Sequence, residues 1–499
     1  MRKLERNTLF IVLSILVVII GVGWIIYGLF IPIYTFHAVR QAHTAMVSYS
    51  LWKYGIDIEN IRLFFGGPIG TALPFELPFY DATVAIAYTI FGQNDMIAKL
   101  VSVLYSVIAC IVFISLVKML LPKLRYFFIV ASLMIIPNWI YHSQTVQPEA
   151  VMIMISIILI FCNIKIYNNG NMSWIIILIL FSVLGVCIKA NQIFHLFLLP
   201  WTLYFFGNRN RKLIYVAIIQ LAFCGIAAYF WTQVGVKWPN MSLDDIILLY
   251  FDLTRFFDLK SLGKAGFTIF FFLASPVVVF LNYFGLKRLK YLSAEWKALF
   301  SAYSAYFIVG YPMFSFHTFY LNSLIPFVAL FTLKGLDQLL NTKELSKKFS
   351  YTLLISGVLS MFIWIAAMKL YFEFQTEQIV PAGEMVQKYC GVDKPIVVLD
   401  QSVRWSRAFP ETRVLYAAKR FGWNIMTNNI ENTKKILKEY KSQGAEYLVN
   451  LNYSSKFEPA IMQFLKSYRP SYEIFDPHEL DLLLVESDEK NMISIWRIP

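Results

Sequence analysis

The sequence predicts a polytopic α-helical membrane protein, with about eleven spanning helices plus interfacial helices and then a soluble C-terminal α/β domain. Three observations predict it. Hydrophobic residues make up 58% of the 499 and charged residues only 15%, too few to cover a water-exposed surface of this size. Apolar windows near the roughly 20 residues that a spanning helix needs recur from residue 8 to residue 371. From Phe374 to Pro499 charged and apolar residues mix as in an ordinary soluble chain. Two domains follow, 1–373 in the membrane and 374–499 outside it.

The formal charge of +13 invites a nucleic-acid reading until it is located. From residue 376 onward 16 basic residues (Lys388 to Arg497) face 16 acidic ones (Glu377 to Glu489). The soluble domain is neutral, so the excess belongs to the membrane part, where it acts as an orientation signal. No nucleic-acid partner is expected. The five cysteines define no disulfide framework, since Cys390 is alone in the soluble domain.

Loop charges order the spans. Arg2, Lys3 and Arg6 precede the first apolar segment, Leu9 to Ile31, and place its N-terminal side in the cytoplasm. That segment is long for a signal peptide and reads as an uncleaved signal anchor. The first outer loop, 32–96, holds His37 to Gly55, a helical pattern with an apolar stripe suited to the membrane surface. The breaker cluster Gly66-Gly-Pro-Ile-Gly70 comes next, then Leu77 to Gly92, about 16 residues with Asp81 in it. If Leu77 to Gly92 spanned, every later basic loop would fall outside, so it is expected to lie in the interface.

The later spans are then 97–120, 126–141, 149–167, 173–188, 191–206, 213–232, 265–286, 298–315, 319–340 and 350–371. Inner loops collect Lys118, Lys123, Arg125, Lys165, Arg209, Arg211, Lys212, Lys287, Arg288, Lys290, Lys297, Lys343, Lys347 and Lys348. The outer loops 142–148 and 316–318 carry no Lys or Arg. An odd count leaves the C-terminal domain extracytoplasmic on a multi-pass protein of the plasma membrane. In that domain Lys394 to Asp400, Glu446 to Leu451, Leu482 to Glu486 and Ile493 to Ile498 read as strands. Glu431 to Gln443 reads as an amphipathic helix closed by Gly444. No Gly-rich nucleotide loop, CxxC pair or HExxH motif occurs there.

Ionisable groups at the membrane boundary are costly, so their clustering is informative. Arg40, His43, Glu76, Asp81, Lys99, Glu149, Lys189 and His317 all come to the outer face on this topology. Two carboxylates sit beside prolines in apolar sequence, in Pro74-Phe-Glu76-Leu-Pro78 and Gln147-Pro-Glu149-Ala. The plainer reading is an anchor or a helix-dipole partner, since Pro and an acid are both common in a first helical turn.

The order of these features resembles the GT-C class of membrane glycosyltransferases, which includes protein O-mannosyltransferases and lipid A aminoarabinose transferases. The motifs are His37-Ala-Val-Arg40-Gln41-Ala-His43-Thr44-Ala45, Glu76-Leu-Pro-Phe, Phe91-Gly-Gln-Asn-Asp95, Gln147-Pro-Glu149, His317-Thr-Phe-Tyr320-Leu-Asn-Ser-Leu-Ile-Pro326 and Leu415 to Trp423. Each is short; their order carries the specificity, and the resemblance covers most of the chain.

The resemblance implies transfer of a sugar from a polyprenyl-phosphate carrier to an envelope acceptor (lipid, polysaccharide or protein) at the outer face. The transferred group would be a hexose or a pentose. The leaving group is a lipid phosphate, stable as an anion, which cations or a metal can stabilise. The acceptor hydroxyl needs a base, and direct displacement inverts the anomeric centre. Many members have an Asp-Glu pair where this chain has Arg40-Gln41. Arg40 cannot be a base, which leaves Glu149 or Glu76, and behind them Asp81 or His43.

Glu149 is the favoured base. Glu76 is expected to hold a divalent metal ion, together with His317, or the sugar hydroxyls. Arg40, Lys99 and Lys189 are candidates for the donor phosphate, with Gln41, His43, Asp81 and Tyr320 as further substrate contacts. Two alternatives stay open, a transporter or flippase for lipid-linked sugars and an inactive scaffold subunit. Transporters keep ionisable groups at mid-membrane and often show internal repeats; here the span interiors are nearly free of charge and no repeat is visible.

Overall fold

The chain is described from a computed structural model, in which residues 2–35, 37–58, 61–68, 76–207, 210–234, 257–287, 289–314, 317–341, 347–376, 379–400, 413–425, 430–451, 483–488 and 493–498 are defined. Residues 235–256, with the Asn-x-Ser sequon at Asn240, lie outside the described residues, as does the sequon at Asn452. So do Gly70 and Pro74-Phe75 of the first loop. Compactness divides the chain into two units. The first comprises Met1–Ile31, Pro74–Ala87 and Met96–Ala367, and the second Pro32–Leu73, Tyr88–Asp95 and Met368–Pro499.

The first unit is a helical membrane protein. Its helices are α1 (Arg2–Leu29), α3 (Phe79–Phe91), α4 (Asp95–Leu120), α5 (Tyr126–Met134), α6 (Pro137–His142), α7 (Glu149–Asn169), α8 (Met172–Ile193), α9 (Leu198–Phe206), α10 (Lys212–Val234), α11 (Leu259–Phe272), α12 (Pro276–Leu286), α13 (Ala294–Phe314), α14 (Ile325–Asn341) and α15 (Lys347–Thr376), with α2 (Ala38–Tyr54) assigned to the second unit. Ile19, Leu180, Phe205 and Ile218 are exposed on their helices, an apolar outer surface suited to lipid rather than water. Helix α7 is buried almost all round, from Glu149 through Ile166, and forms the centre of the unit.

Six helices among the described residues are long and apolar enough to cross a membrane. They are Phe10–Leu29, Asp95–Leu120, Glu149–Asn169, Met172–Ala190, Lys212–Phe230 and Thr318–Asn341. The bent pair α11 and α12 makes a seventh if counted as one span. Several of the eleven expected spans are therefore broken helices. The expected span 126–141 splits where Pro137 opens α6, with Ile136 held extended at φ −94° and ψ 110°. The expected span 265–286 bends by 93° between α11 and α12, where Pro276 opens the second helix. The expected span 191–206 is a 3-10 turn, Phe194–Phe197, followed by α9. Helix α3 has 13 residues, about 20 Å of helix against roughly 30 Å of hydrocarbon. That is shorter than a straight crossing needs.

Two glycines let helices meet closely inside this unit. A Cβ on Gly335 would lie 1.9 Å from the Leu281 carbonyl oxygen, and one on Gly285 would lie 2.5 Å from that of Phe331. Helices α12 and α14 thus touch backbone to backbone, as small residues permit in membranes.

The second unit is built on a five-stranded sheet in the order β2-β1-β3-β5-β4. The strands are β1 (Ile396–Asp400), β2 (Gly422–Ile425), β3 (Tyr447–Leu451), β4 (Leu483–Asp488) and β5 (Ile493–Arg497). Strand β1 pairs in parallel with β2 and β3; β5 is antiparallel to β3 and β4. The helix expected over Glu431 to Gln443 is present as Ile430–Ser442. The core is Val397, Leu399, Trp423, Ile425, Leu437, Leu448 and Trp496.

The first outer loop joins this unit as a sheet edge. Phe65 bridges in parallel to Gly422, the Gly422 N–H donates to the Phe64 carbonyl at 2.8 Å, and the Gly67 N–H donates to the Gly422 carbonyl at 3.0 Å. Gly67 has φ +95°, and a Cβ there would lie 2.7 Å from the Trp423 ring, so only glycine fits.

Candidate active site

The local fold around Lys189 assembles the charged residues. Lys189 lies near the C-terminal end of α8 with φ −155° and ψ 81°, a break in the helix. Beside the break, the Cys187 carbonyl accepts a hydrogen bond from the Leu77 N–H at 3.0 Å. That bond docks Leu77 on α8 and carries the neighbouring Glu76 carboxylate to 3.5 Å from the Lys189 Nζ. Glu149 opens α7 with Pro148 at the N-cap, is wholly buried, and its Oε1 accepts from the same ammonium. One lysine therefore serves two carboxylates from different parts of the sequence. A buried charge survives only with such compensation.

An aromatic floor lies under this triad. The Lys189 Nζ stands 4.4 Å from the Phe319 ring centroid, within cation–π range. Phe319 belongs to a 3-10 segment, Thr318–Leu324; it stacks with His317 at 4.7 Å and meets Tyr320 in a tilted pair at 4.5 Å. Side-chain amides hold this segment in place. Asn138 donates to the Thr318 carbonyl at 3.0 Å and to Asn322 Oδ1 at 2.5 Å; Gln192 donates to the Phe319 carbonyl at 3.2 Å. The Tyr306 hydroxyl donates to the Tyr320 carbonyl at 2.8 Å.

The structure thus brings Glu76, Glu149 and Lys189 together, with His317 and Tyr320 linked to them through Phe319. Two other candidates in the first unit are placed differently. The Lys99 ammonium is buried and donates to the carbonyls of Gly28, at 2.8 Å, and Ile31. Lys99 caps the C-terminal end of α1, where a cation meets carbonyls that the helix leaves open. Asp81 is buried in the first turn of α3. Arg40, Gln41 and His43 belong to α2 in the second unit. There the buried Nε2 of His43 and the neighbouring Arg40 charge lower its pKa to about 4, so His43 is neutral at physiological pH.

Among the described residues no three His, Cys, Asp or Glu side chains cluster to hold an ion. A divalent ion shared by Glu76 and Glu149 would stand where the Lys189 ammonium now stands. The described residues do not form such a site.

Phe319, Asn138 and Gln192 had no sequence signal as site residues. They are uncharged, and the only hint was the proximity of Phe319 to His317 and of Gln192 to Lys189 in the chain.

The chain has a GT-C fold, shown by its likeness to solved structures. Residues 74–234 match the family model of dolichyl-phosphate-mannose-protein mannosyltransferases, a stretch that contains Glu76, Glu149 and Lys189. The chain is similar to ArnT from Cupriavidus metallidurans in its crystal structure bound to undecaprenyl phosphate, with a TM-score of 0.60 at 12% identity over 98% of both chains. It is also similar to the oligosaccharyltransferase of Archaeoglobus fulgidus in the apo form, with a TM-score of 0.55 at 13% identity, over 88% of this chain and 69% of that one. The same archaeal enzyme, AglB, in complex with an inhibitory peptide and a dolichol-phosphate gives a TM-score of 0.53 at 13% identity, over 88% of this chain and 69% of that one. No curated protein matches the chain in sequence.

Proposed function

We propose that this protein is a glycosyltransferase that moves a sugar from a polyprenyl-phosphate-linked donor to an envelope acceptor at the outer membrane face. The observation that carries the reading is the buried Glu149–Lys189 pair with Glu76 beside it. Lipid phosphates bound in ArnT and AglB, and the family model that spans the same residues, support a lipid carrier as donor. The donor's tail stays in the bilayer while its sugar-phosphate needs water, so chemistry belongs at an interface. The N-terminal side of the first span is cytoplasmic on this reading and the C-terminal domain extracytoplasmic, in the plasma membrane.

The step runs as a single displacement. The acceptor oxygen attacks the anomeric carbon, that carbon's bond to the phosphate oxygen breaks, and the polyprenyl phosphate leaves with the electron pair. The acceptor proton passes to Glu149 as general base. The Lys189 ammonium turns toward the phosphate and stabilises the charge that develops there, which also releases Glu149 from its ion pair. Glu76 holds a sugar hydroxyl. Direct attack inverts the configuration, and the spaced-carboxylate rule of glycoside hydrolases does not govern it.

Replacing Glu149 with Gln should cut transfer of radiolabelled sugar by at least about a hundredfold, the lower range for a general base. Membrane expression should be unchanged. Glu76→Gln should also abolish most transfer; full activity in both variants rejects the site.

A further inference from the structure

The Phe319 ring is held more firmly than packing alone requires. Three successive carbonyls of its 3-10 segment each accept a hydrogen bond from a side chain on a different helix. Asn138 of α6 donates to the Thr318 carbonyl at 3.0 Å, Gln192 of α8 to that of Phe319 at 3.2 Å, and Tyr306 of α13 to that of Tyr320 at 2.8 Å. Asn138, Gln192 and Tyr306 are each 0% exposed, so water does not compete for these bonds. His317 lies against the ring at 4.7 Å with 14° between the two planes. Backbone clamps and a stacked imidazole thus fix a ring whose face meets the Lys189 ammonium, 4.4 Å from the centroid.

The charges give that face a use. Lys189 is one cation between two carboxylates, Glu149 and Glu76. In the displacement above, the acceptor proton reaches Glu149 and cancels its charge. The ammonium loses its nearest anion at the moment the departing phosphate gains charge. A third carboxylate could hold the ammonium through that moment, but it would offset the charge that the phosphate needs. An aromatic face holds a cation through its quadrupole and carries no net charge. Its attraction is the same before and after the proton moves.

We propose that Phe319 is a positioning residue of the transfer step. Its ring holds the Lys189 ammonium in place while Glu149 is protonated, and leaves the positive charge intact for the departing phosphate. The inference rests on the transferase reading above and adds to it a residue that acts through Lys189.

The test changes the ring's π face and keeps its shape. Full-length protein is made with 4-fluoro-, 3,5-difluoro- or 3,4,5-trifluorophenylalanine in place of Phe319, each fluorine drawing electron density off the face. Release of undecaprenyl phosphate from undecaprenyl-phosphate mannose is followed with envelope membranes as acceptor. Along the series kcat should fall stepwise, to a loss of about tenfold at three fluorines, while the donor KM stays within about twofold. Phe319→Leu, which removes the face, should lose about thirtyfold. Unfolding midpoints of the same proteins without substrate should fall along the series in the wild-type background and stay level in Lys189→Met. A purely structural phenylalanine gives a level kcat, or midpoints that respond alike with and without Lys189, and either result overturns the assignment. A KM that rises at constant kcat also overturns it, since the ring would then hold the donor and not the lysine. In all of these cases wild type still transfers and the transferase reading survives. If wild type releases no undecaprenyl phosphate from mannose-, glucose- or arabinose-linked donors, the transferase reading has failed and takes the role in transfer with it.

Discussion

Lys189 compensates two carboxylates with one charge, which makes it a stability element as well as a site residue. Removing it as Lys189→Met leaves Glu149 as a buried, uncompensated carboxylate, a loss of about 3–5 kcal/mol. Thermal unfolding in detergent should show a lower midpoint. The double variant Lys189→Met with Glu149→Gln should recover most of that loss but no transfer, an outcome that separates folding from chemistry. His43 gives a pH prediction. Its folded pKa of about 4 lies below the ordinary 6.5, so between those values the unfolded chain binds more protons. Stability contributed by neutral His43 is present above about pH 6.5 and drains as pH falls toward 4. His43→Leu should flatten the unfolding-midpoint curve across that window; an identical slope in both proteins refutes the assignment. Glu76, Glu149 and Lys189 were legible because a charge in apolar sequence announces its cost. Gln192 and Asn138 were not, because an amide in an apolar run costs little and signals little.

Helix breaks, more than helices, shape the first unit. The apolar runs were readable, and so in principle were the interruptions at Pro137 and Pro276, since proline cannot donate to the preceding turn. The break at Lys189 has no proline or glycine to announce it; it is set by the ion pair and by the Leu77 hydrogen bond to Cys187. The edge strand β2 was equally hidden, since four residues beginning with glycine make a weak β pattern. Gly422 is there because a Cβ would sit 1.9 Å from the Ile396 carbonyl oxygen. The α12–α14 contact yields a direct test. Gly335→Leu drives a side chain into the Leu281 backbone and should lower the unfolding midpoint and the monodisperse fraction in size-exclusion chromatography. Gly23→Leu, where a Cβ meets nothing within 4 Å, should behave as wild type. Equal behaviour of the two variants would mean that the helices do not depend on that approach.

At the scale of the molecule, composition separates 1–373 from 374–499, whereas compactness gathers the first outer loop with the C-terminal residues. No local pattern could reveal this, because the link is a pairing between Phe65 and Gly422. One expectation follows for truncation. Deleting residues from 376 onward should strip the first loop of its sheet as well as alter acceptor range. Limited proteolysis should then cut within 37–68 much faster than in the full chain, and equal protection would show that the loop folds by itself. The polytopic architecture and the candidacy of Glu76, Glu149 and Lys189 were readable; the grouping of the chain into units was not.

The pairing of the first loop with β2 also sets a timetable. Phe65 is synthesised about 350 residues before Gly422, an interval of about 20–70 s at ordinary translation rates. Through that time the loop's edge must wait without its strand partner while the spans between are inserted. The segment that waits is short, a single bridge at Phe65 followed by Gly66 and Gly67, residue types that strands disfavour.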